Sequence, residues 1–186
     1  MAPRTRAAFA VWITGLPASG KSTLAAAVTA QLAARGVDVA VLESDQLRKV
    51  FTLDPHYDEK ERDAFYRQMV YIGVLLTSHG VPVLFDATAN RRAYRDLARQ
   101  QIPRFLELYV DSSLETCVDR DPKGIYRQAR CGGANTVPGI QTEYEAPERA
   151  DLIVHGDRES PEAWAGRLIT KLVERGYLED EVGASF

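Results

Sequence analysis

Gly15-Leu16-Pro17-Ala18-Ser19-Gly20-Lys21-Ser22 has the spacing G-x-x-x-x-G-K-[ST], and its residue types suit one task, the cradling of a polyphosphate. Gly15 and Gly20 free the backbone to turn until its N–H groups converge on an anion. A helix opening near Gly20 adds the positive end of its dipole. Lys21 reaches the β- and γ-phosphates as a mobile point charge, the Ser22 hydroxyl can ligate a magnesium ion, and Thr23 packs beside them. Two carboxylates, Asp45 and Asp86, follow apolar runs further along the chain. Either can hold Mg2+ through water or take a proton from an acceptor hydroxyl, and each is also a residue type that caps a helix or tightens a turn. Arg48 lies three residues after Asp45, so on a helical turn both face one ligand, and an anionic one suits the pair.

These groups need a scaffold that brings them to one edge. Apolar runs at residues 9–14, 37–42, 81–85, 105–110 and 151–154 read as buried strands. They alternate with helical stretches at 22–35, 59–79, 91–101, 114–120 and 161–175, and a short helix is expected after Asp45. Five strands alternating with helices make an α/β fold with a central parallel sheet covered on both faces, whose ligands gather at the C-terminal strand ends. Asp45 and Asp86 both fall at such ends. Residues 121–147 break the rhythm, with four Gly, three Pro and no clear periodicity. A gap of that length in a compact domain is a candidate lid, and Arg120, Lys123, Arg127 and Arg130 suit one that closes over phosphates. Arg91, Arg92, Arg95 and Arg99 give one helix a basic side, expected to be a solvated face.

The chain has 186 residues, 45% of them hydrophobic and 26% charged, which fits a single domain over residues 1–186. Its formal charge of −3 argues against a nucleic-acid polymer or a membrane surface as partner. Two cysteines exclude a disulfide scaffold and a four-cysteine zinc site. Cys117 reads as helix core, Cys131 as exposed, and Trp12 and Trp164 as packing residues. Arg4 and Arg6 before the first apolar run loosely mimic a signal peptide, but a glycine-rich loop follows at once. That run therefore reads as a buried strand, and the expected compartment is the cytoplasm.

Val11 to Thr23 resembles the opening of the adenylylsulfate kinases. Arg120-Asp121-Pro122-Lys123-Gly124-Ile125-Tyr126 and Tyr144-Glu145-Ala146-Pro147 resemble later blocks of the same family. The resemblance implies a P-loop kinase, commonly a homodimer, that moves the γ-phosphoryl of Mg-ATP to the 3′-hydroxyl of adenosine 5′-phosphosulfate. It implies roles for single residues. Asp45 sits between the substrates, Arg48 and Arg62 anchor the acceptor, Tyr57 stacks on the acceptor adenine, Arg120 packs on the ATP adenine and Lys123 approaches the phosphosulfate. Departures cluster on the acceptor side. Phe65 stands where the family has an acceptor-binding Asn, Ala89 where it has a Ser, and Val137 where it has half of an adenine clamp. Phe65 and Val137 would make the acceptor pocket more apolar, so a different small-molecule hydroxyl acceptor is a second expectation. A non-catalytic ATP-binding module is a third.

Overall fold

Each strand rises, crosses through a helix and returns parallel to its neighbours, as the alternation of apolar runs and helices requires. The computed structural model describes residues 8–52, 56–132, 136–156 and 158–180. Arg4 and Arg6 lie outside them. In chain order the elements are β1 (Ala10–Thr14), α1 (Lys21–Ala34), β2 (Ala40–Glu43), α2 (Ser44–Phe51), α3 (Glu59–Ser78) and β3 (Val83–Asp86), followed by α4 (Arg92–Gln101), β4 (Phe105–Asp111), α5 (Leu114–Arg120), α6 (Ile125–Arg130), β5 (Leu152–His155) and α7 (Pro161–Glu174). The five strands form one all-parallel sheet in the order β2-β3-β1-β4-β5.

β1 is central, and all five of its residues are buried. Its side chains alternate between two cores. Val11 and Ile13 join Leu24 and Val28 of α1 and Leu168 and Leu172 of α7 on one face. Ala10 and Trp12 join Met69 of α3, Phe85 of β3 and Tyr94 of α4 on the other. Trp12 stacks on Phe85 at 4.5 Å, and its Nε1 donates to the Ala87 carbonyl at 3.1 Å, which fixes the turn after β3. Cys117 is buried and Cys131 exposed. Among the described residues no helix is long and apolar enough to cross a membrane.

Two expectations are corrected. Residues 121–147 are not without regular structure, because they contain α6. Its buried Tyr126 and Ala129 pack with Cys117, Val137, Leu16 and Ala18 in a small third cluster. Six residues are too few to show a helical period. The basic side of α4 is only in part a solvated face, since one of its arginines is buried and the other three are partly exposed and paired. Arg95 is 1% exposed; its Nε donates to Glu107 at 2.6 Å, its Nη2 to the Glu145 carbonyl at 2.6 Å and its Nη1 to the Ala89 carbonyl. Arg99 bridges Glu107 and Asp151, Arg91 pairs with Glu59, and Arg92 pairs with Glu145 and Glu148. Their partners lie on other elements, beyond the reach of a helical wheel.

Arg95 therefore links α4, β4 and two loops through a buried charge. Arg95→Met should cost about 3 kcal/mol or more, because it leaves the buried Glu107 short of its partner. Urea unfolding of both proteins measures this, and a loss below about 1 kcal/mol would show that Arg99 alone compensates for the missing charge.

Candidate active site

β1 delivers the chain to Gly15 at φ 154. A Cβ there would lie 2.6 Å from the Val110 carbonyl oxygen of β4 and 2.7 Å from Ser19 Oγ, so only hydrogen fits. Ala18 at φ 60 and Gly20 at φ 107 turn the loop back on itself, and Ser19 N donates to the Leu16 carbonyl at 3.1 Å. Left-handed residues alternating with ordinary ones turn consecutive N–H groups to one side. α1 begins at Lys21 and aims its N-terminus at the same point.

Lys21 is only 9% exposed, and its Nζ donates to the Leu16 carbonyl at 2.8 Å. Burial lowers its pKa to about 8, opposed in part by the charges of Asp86 and Asp45. Asp86 ends β3, beside Ile13 of β1 and Glu43 of β2 in the sheet register. It is 4% exposed and lies beside the Ser22 hydroxyl. Burial pushes its carboxyl up, while the nearby Ser22 hydroxyl and Lys21 pull it back. Asp45 sits in the first turn of α2 with a half-exposed side chain, paired to Lys123 Nζ at 2.5 Å. Two carboxylates from adjacent strand ends thus stand in unlike surroundings, one dry beside the loop hydroxyl and one wet beside a half-exposed lysine. Asp86 with Ser22 offers hard oxygen ligands suited to Mg2+, and Asp45 keeps contact with solvent.

The Asp-Pro-Lys-Gly-Ile-Tyr block is built around Asp121. Its carboxylate accepts from Tyr126 N at 3.2 Å and Arg127 N at 2.9 Å, and so caps α6. Tyr126 Oη then donates to the Pro17 carbonyl at 3.0 Å, which fastens α6 to the phosphate loop. Tyr144 and Glu145, from the second block, reach other parts of the site. Tyr144 Oη bonds Thr14 Oγ1 at 3.0 Å, and Glu145 N donates to the Asn90 carbonyl at 2.8 Å.

One continuous cleft of about 1280 Å³ runs over these groups. Pockets for a single small ligand measure roughly 300–1,000 Å³, so this cleft is larger than one such ligand needs. Pro17, Ala18, Gly20, Lys21, Ser22 and Thr23 line it, together with Asp45 and Asp86. Arg120 lines it too, its Nη2 donating to the Gly156 carbonyl at 2.7 Å. Arg48, Tyr57, Arg62, Lys123 and Val137 also line the cleft. Gly15, Leu16 and Ser19 act from beneath the lining.

Phe65 and Ala89 do not line it, contrary to expectation. Phe65 is 2% exposed and lies under the Arg48 guanidinium, whose Cζ stands 4.0 Å from its ring centroid. Ala89 is fully buried, its N–H donating to Tyr66 Oη and its carbonyl accepting from Arg95. Arg62 lines the cleft, but three of its donors are held by the protein. They reach the Tyr57 carbonyl at 3.0 Å, Asn90 Oδ1 at 3.1 Å and the Thr136 carbonyl at 2.6 Å. Sequence reasoning missed Thr88, Tyr66 and Trp164 as lining residues. Only the position of Thr88 just past a strand end pointed to the cleft.

A glycine-built anion nest, a buried lysine and a seryl–aspartyl pair on a five-stranded parallel sheet define a P-loop kinase. The family model for adenylylsulphate kinase matches residues 7–155. An adenylyl-sulfate kinase of Synechococcus sp. (strain JA-3-3Ab) is 38% identical over 169 residues, which cover 91% of this chain and 96% of that protein. A probable bifunctional SAT/APS kinase 2 of Sorangium cellulosum is 36% identical over 170 residues, 91% of this chain, and the chain spans 29% of its length. The Mycobacterium tuberculosis APS kinase, solved in complex with AMPPNP and APS, superposes with a TM-score of 0.84 at 32% identity over 89% of this chain and 98% of that one. The chain belongs to the adenylylsulphate kinase family.

The depressed pKa of Lys21 has a pH signature. In the free protein the lysine loses its proton as pH rises through about 8. A triphosphate restores the charged form, so binding at about pH 8.5 should take up protons and binding at about pH 6.5 should not. The contribution of Lys21 to folding stability should rise with pH between about 8 and the ordinary lysine value of 10.5, where the unfolded chain holds the extra proton. Calorimetry in two buffers of different ionisation heat reads the uptake. Equal uptake by Lys21→Met would place the titrating group elsewhere.

Proposed function

We propose that this chain transfers the γ-phosphoryl of Mg-ATP to the 3′-hydroxyl of adenosine 5′-phosphosulfate, with residues 1–186 acting as one domain and 121–147 as its lid. The observation that carries the reading is one continuous cleft lined by the phosphate loop, the buried Lys21, Asp45 and the Arg48–Tyr57 pair.

The loop N–H groups and Lys21 hold the β- and γ-phosphates and meet the charge that grows on them during transfer. Bound Mg2+ supplies further neutralisation of that charge, and Ser22 and Asp86 would hold it. Arg120 lies at the nucleoside end of ATP, and Arg48 and Tyr57 orient the acceptor, the arginine by charge and the tyrosine by its exposed ring face. Asp45 takes the proton of the attacking hydroxyl. Lys123 holds Asp45 in the free enzyme, but a half-exposed pair contributes only about 0–1 kcal/mol. A phosphosulfate group can therefore draw Lys123 to itself and leave Asp45 free as a base. Closure of the basic lid excludes water from the γ-phosphoryl and limits hydrolysis.

Val137, an aliphatic side chain on the cleft lining where the resemblance has half of an adenine clamp, favours one second reading, a different small-molecule hydroxyl compound as acceptor. Both readings involve no nucleic-acid polymer. The family resemblance supports a homodimer, and the cytoplasm, where Mg-ATP is supplied, is the proposed compartment.

ADP release from Mg-ATP, with and without adenylylsulfate, tests the reading. Adenylylsulfate should accelerate release and yield the 3′-phosphorylated product, and turnover should fall about 10²–10³-fold in Lys21→Ala. Release indifferent to adenylylsulfate would favour the other acceptor. Asp45→Asn should bind ATP normally yet transfer poorly, whereas Asp86→Asn should raise the Mg2+ concentration needed for half-maximal rate. The reverse pattern would exchange the two carboxylate roles.

A further inference from the structure

Arg48 and Tyr57 come from different elements, and one carboxylate joins them. Glu61 Oε1 accepts from Arg48 Nη1 at 2.8 Å. Its other oxygen accepts from the backbone N–H of His56 at 2.6 Å and of Tyr57 at 3.1 Å. Tyr57 has φ 58, a left-handed conformation that a bulky residue adopts only under constraint. The constraint is applied from both sides of the residue, since Arg62 Nε donates to the Tyr57 carbonyl at 3.0 Å. Arg48 is held on its flat faces as well, with its Cζ 4.9 Å from the Tyr57 ring centroid and 4.0 Å from that of Phe65. The Arg48 and Glu61 side chains are 11% and 17% exposed, and the Tyr57 residue remains 42% exposed at the cleft.

We infer that Glu61 is the positioning residue of the acceptor half-site. It aims the Arg48 guanidinium at the acceptor's anionic group and turns a face of Tyr57 toward its base, without touching either substrate. The inference rests on the reading of this end of the cleft as the acceptor site. Glu61 is the third residue of α3, where a glutamate ordinarily reaches back to the N-cap N–H in a capping box. Here Asp58 caps the helix by accepting from Glu61 N at 2.8 Å, and the Glu61 carboxylate reaches past it to the two preceding residues. The same substitution thus separates a local cap from a specificity device. A cap affects stability alone, whereas a positioning residue affects one substrate and spares the other.

Steady-state kinetics of Glu61→Ala and Glu61→Gln should show that split. Glu61→Ala should raise KM for adenylylsulfate about ten- to a hundredfold, the scale of lost hydrogen bonds to a charged group. KM for ATP should stay within about twofold, since nothing bound to the phosphate loop is disturbed. Glu61→Gln keeps one accepting oxygen and should recover part of the loss. Equal change in both KM values, or a lower melting temperature with neither KM changed, would overturn the inference. An independent measurement follows the Arg48 guanidinium by 15N NMR, with Arg48→Lys to assign its signal. Restricted guanidinium rotation should be present in the parent, lost in Glu61→Ala and weakened in Glu61→Gln. Its persistence in Glu61→Ala would also overturn the inference. A parent chain inert toward adenylylsulfate, yet showing this loss on substitution, would sink the assigned acceptor while leaving Glu61 as the group that positions Arg48.

Discussion

Holding an ammonium group largely out of water costs free energy unless carbonyls and carboxylates stand close to it. Lys21 meets this condition through the Leu16 carbonyl and the nearby charges of Asp86 and Asp45. Much of the architecture serves that arrangement. β1 must be central for the loop to emerge between β3 and β4, and Gly15 must lack a side chain for the loop to press against Val110. β3 must lie beside β1 in a register that sets Asp86 next to Ile13. Lys21 therefore adds a full positive charge to the nest before a phosphate arrives, in a place where water screens it little.

The remaining wall of the cleft is secured by groups that do not reach the ligand space. Tyr126 ties α6 to the phosphate loop, Tyr144 ties the late loop to the end of β1, and Arg95 ties the turn after β3 to β4. Side chains that bind a substrate are held in place by second partners, because a ligand-facing arginine or tyrosine loses affinity if it must be ordered on binding. Arg48 and Tyr57 share such support in Glu61, and Arg62 acts more as a strut between α3 and the loops than as a free donor. The departure at Phe65 has a physical consequence under this arrangement. The ring supports Arg48 from beneath, so the apolar substitution changes how an arginine is held more than the chemistry that the cleft displays.

Much of this was readable from local pattern. The phosphate loop, the five strands, the long α3 and the limits of α5 follow from residue spacing, since strand and helix periods and the conformational demands of Gly act within a few residues. Asp45 and Asp86 could be assigned to the cleft because parallel sheets gather their strand ends on one edge. α6 was too short to show a period. The basic side of α4 was in part misread, because its partners Glu107, Glu145 and Asp151 lie on other segments.

Residue types and spacing along the chain set out which chemistry is possible: a phosphate loop, two candidate carboxylates and a basic segment after α5. Backbone turns and amphipathic periods encode such features locally, so no neighbour is needed to recognise them. Folding in three dimensions settles which carboxylate is dry and which is wet, that Arg95 is a buried strut, and that Phe65 lies behind Arg48 instead of in the cleft. Those distinctions depend on desolvation and on partners far apart in the chain, and both quantities come into being only when the sheet and its helices close around them.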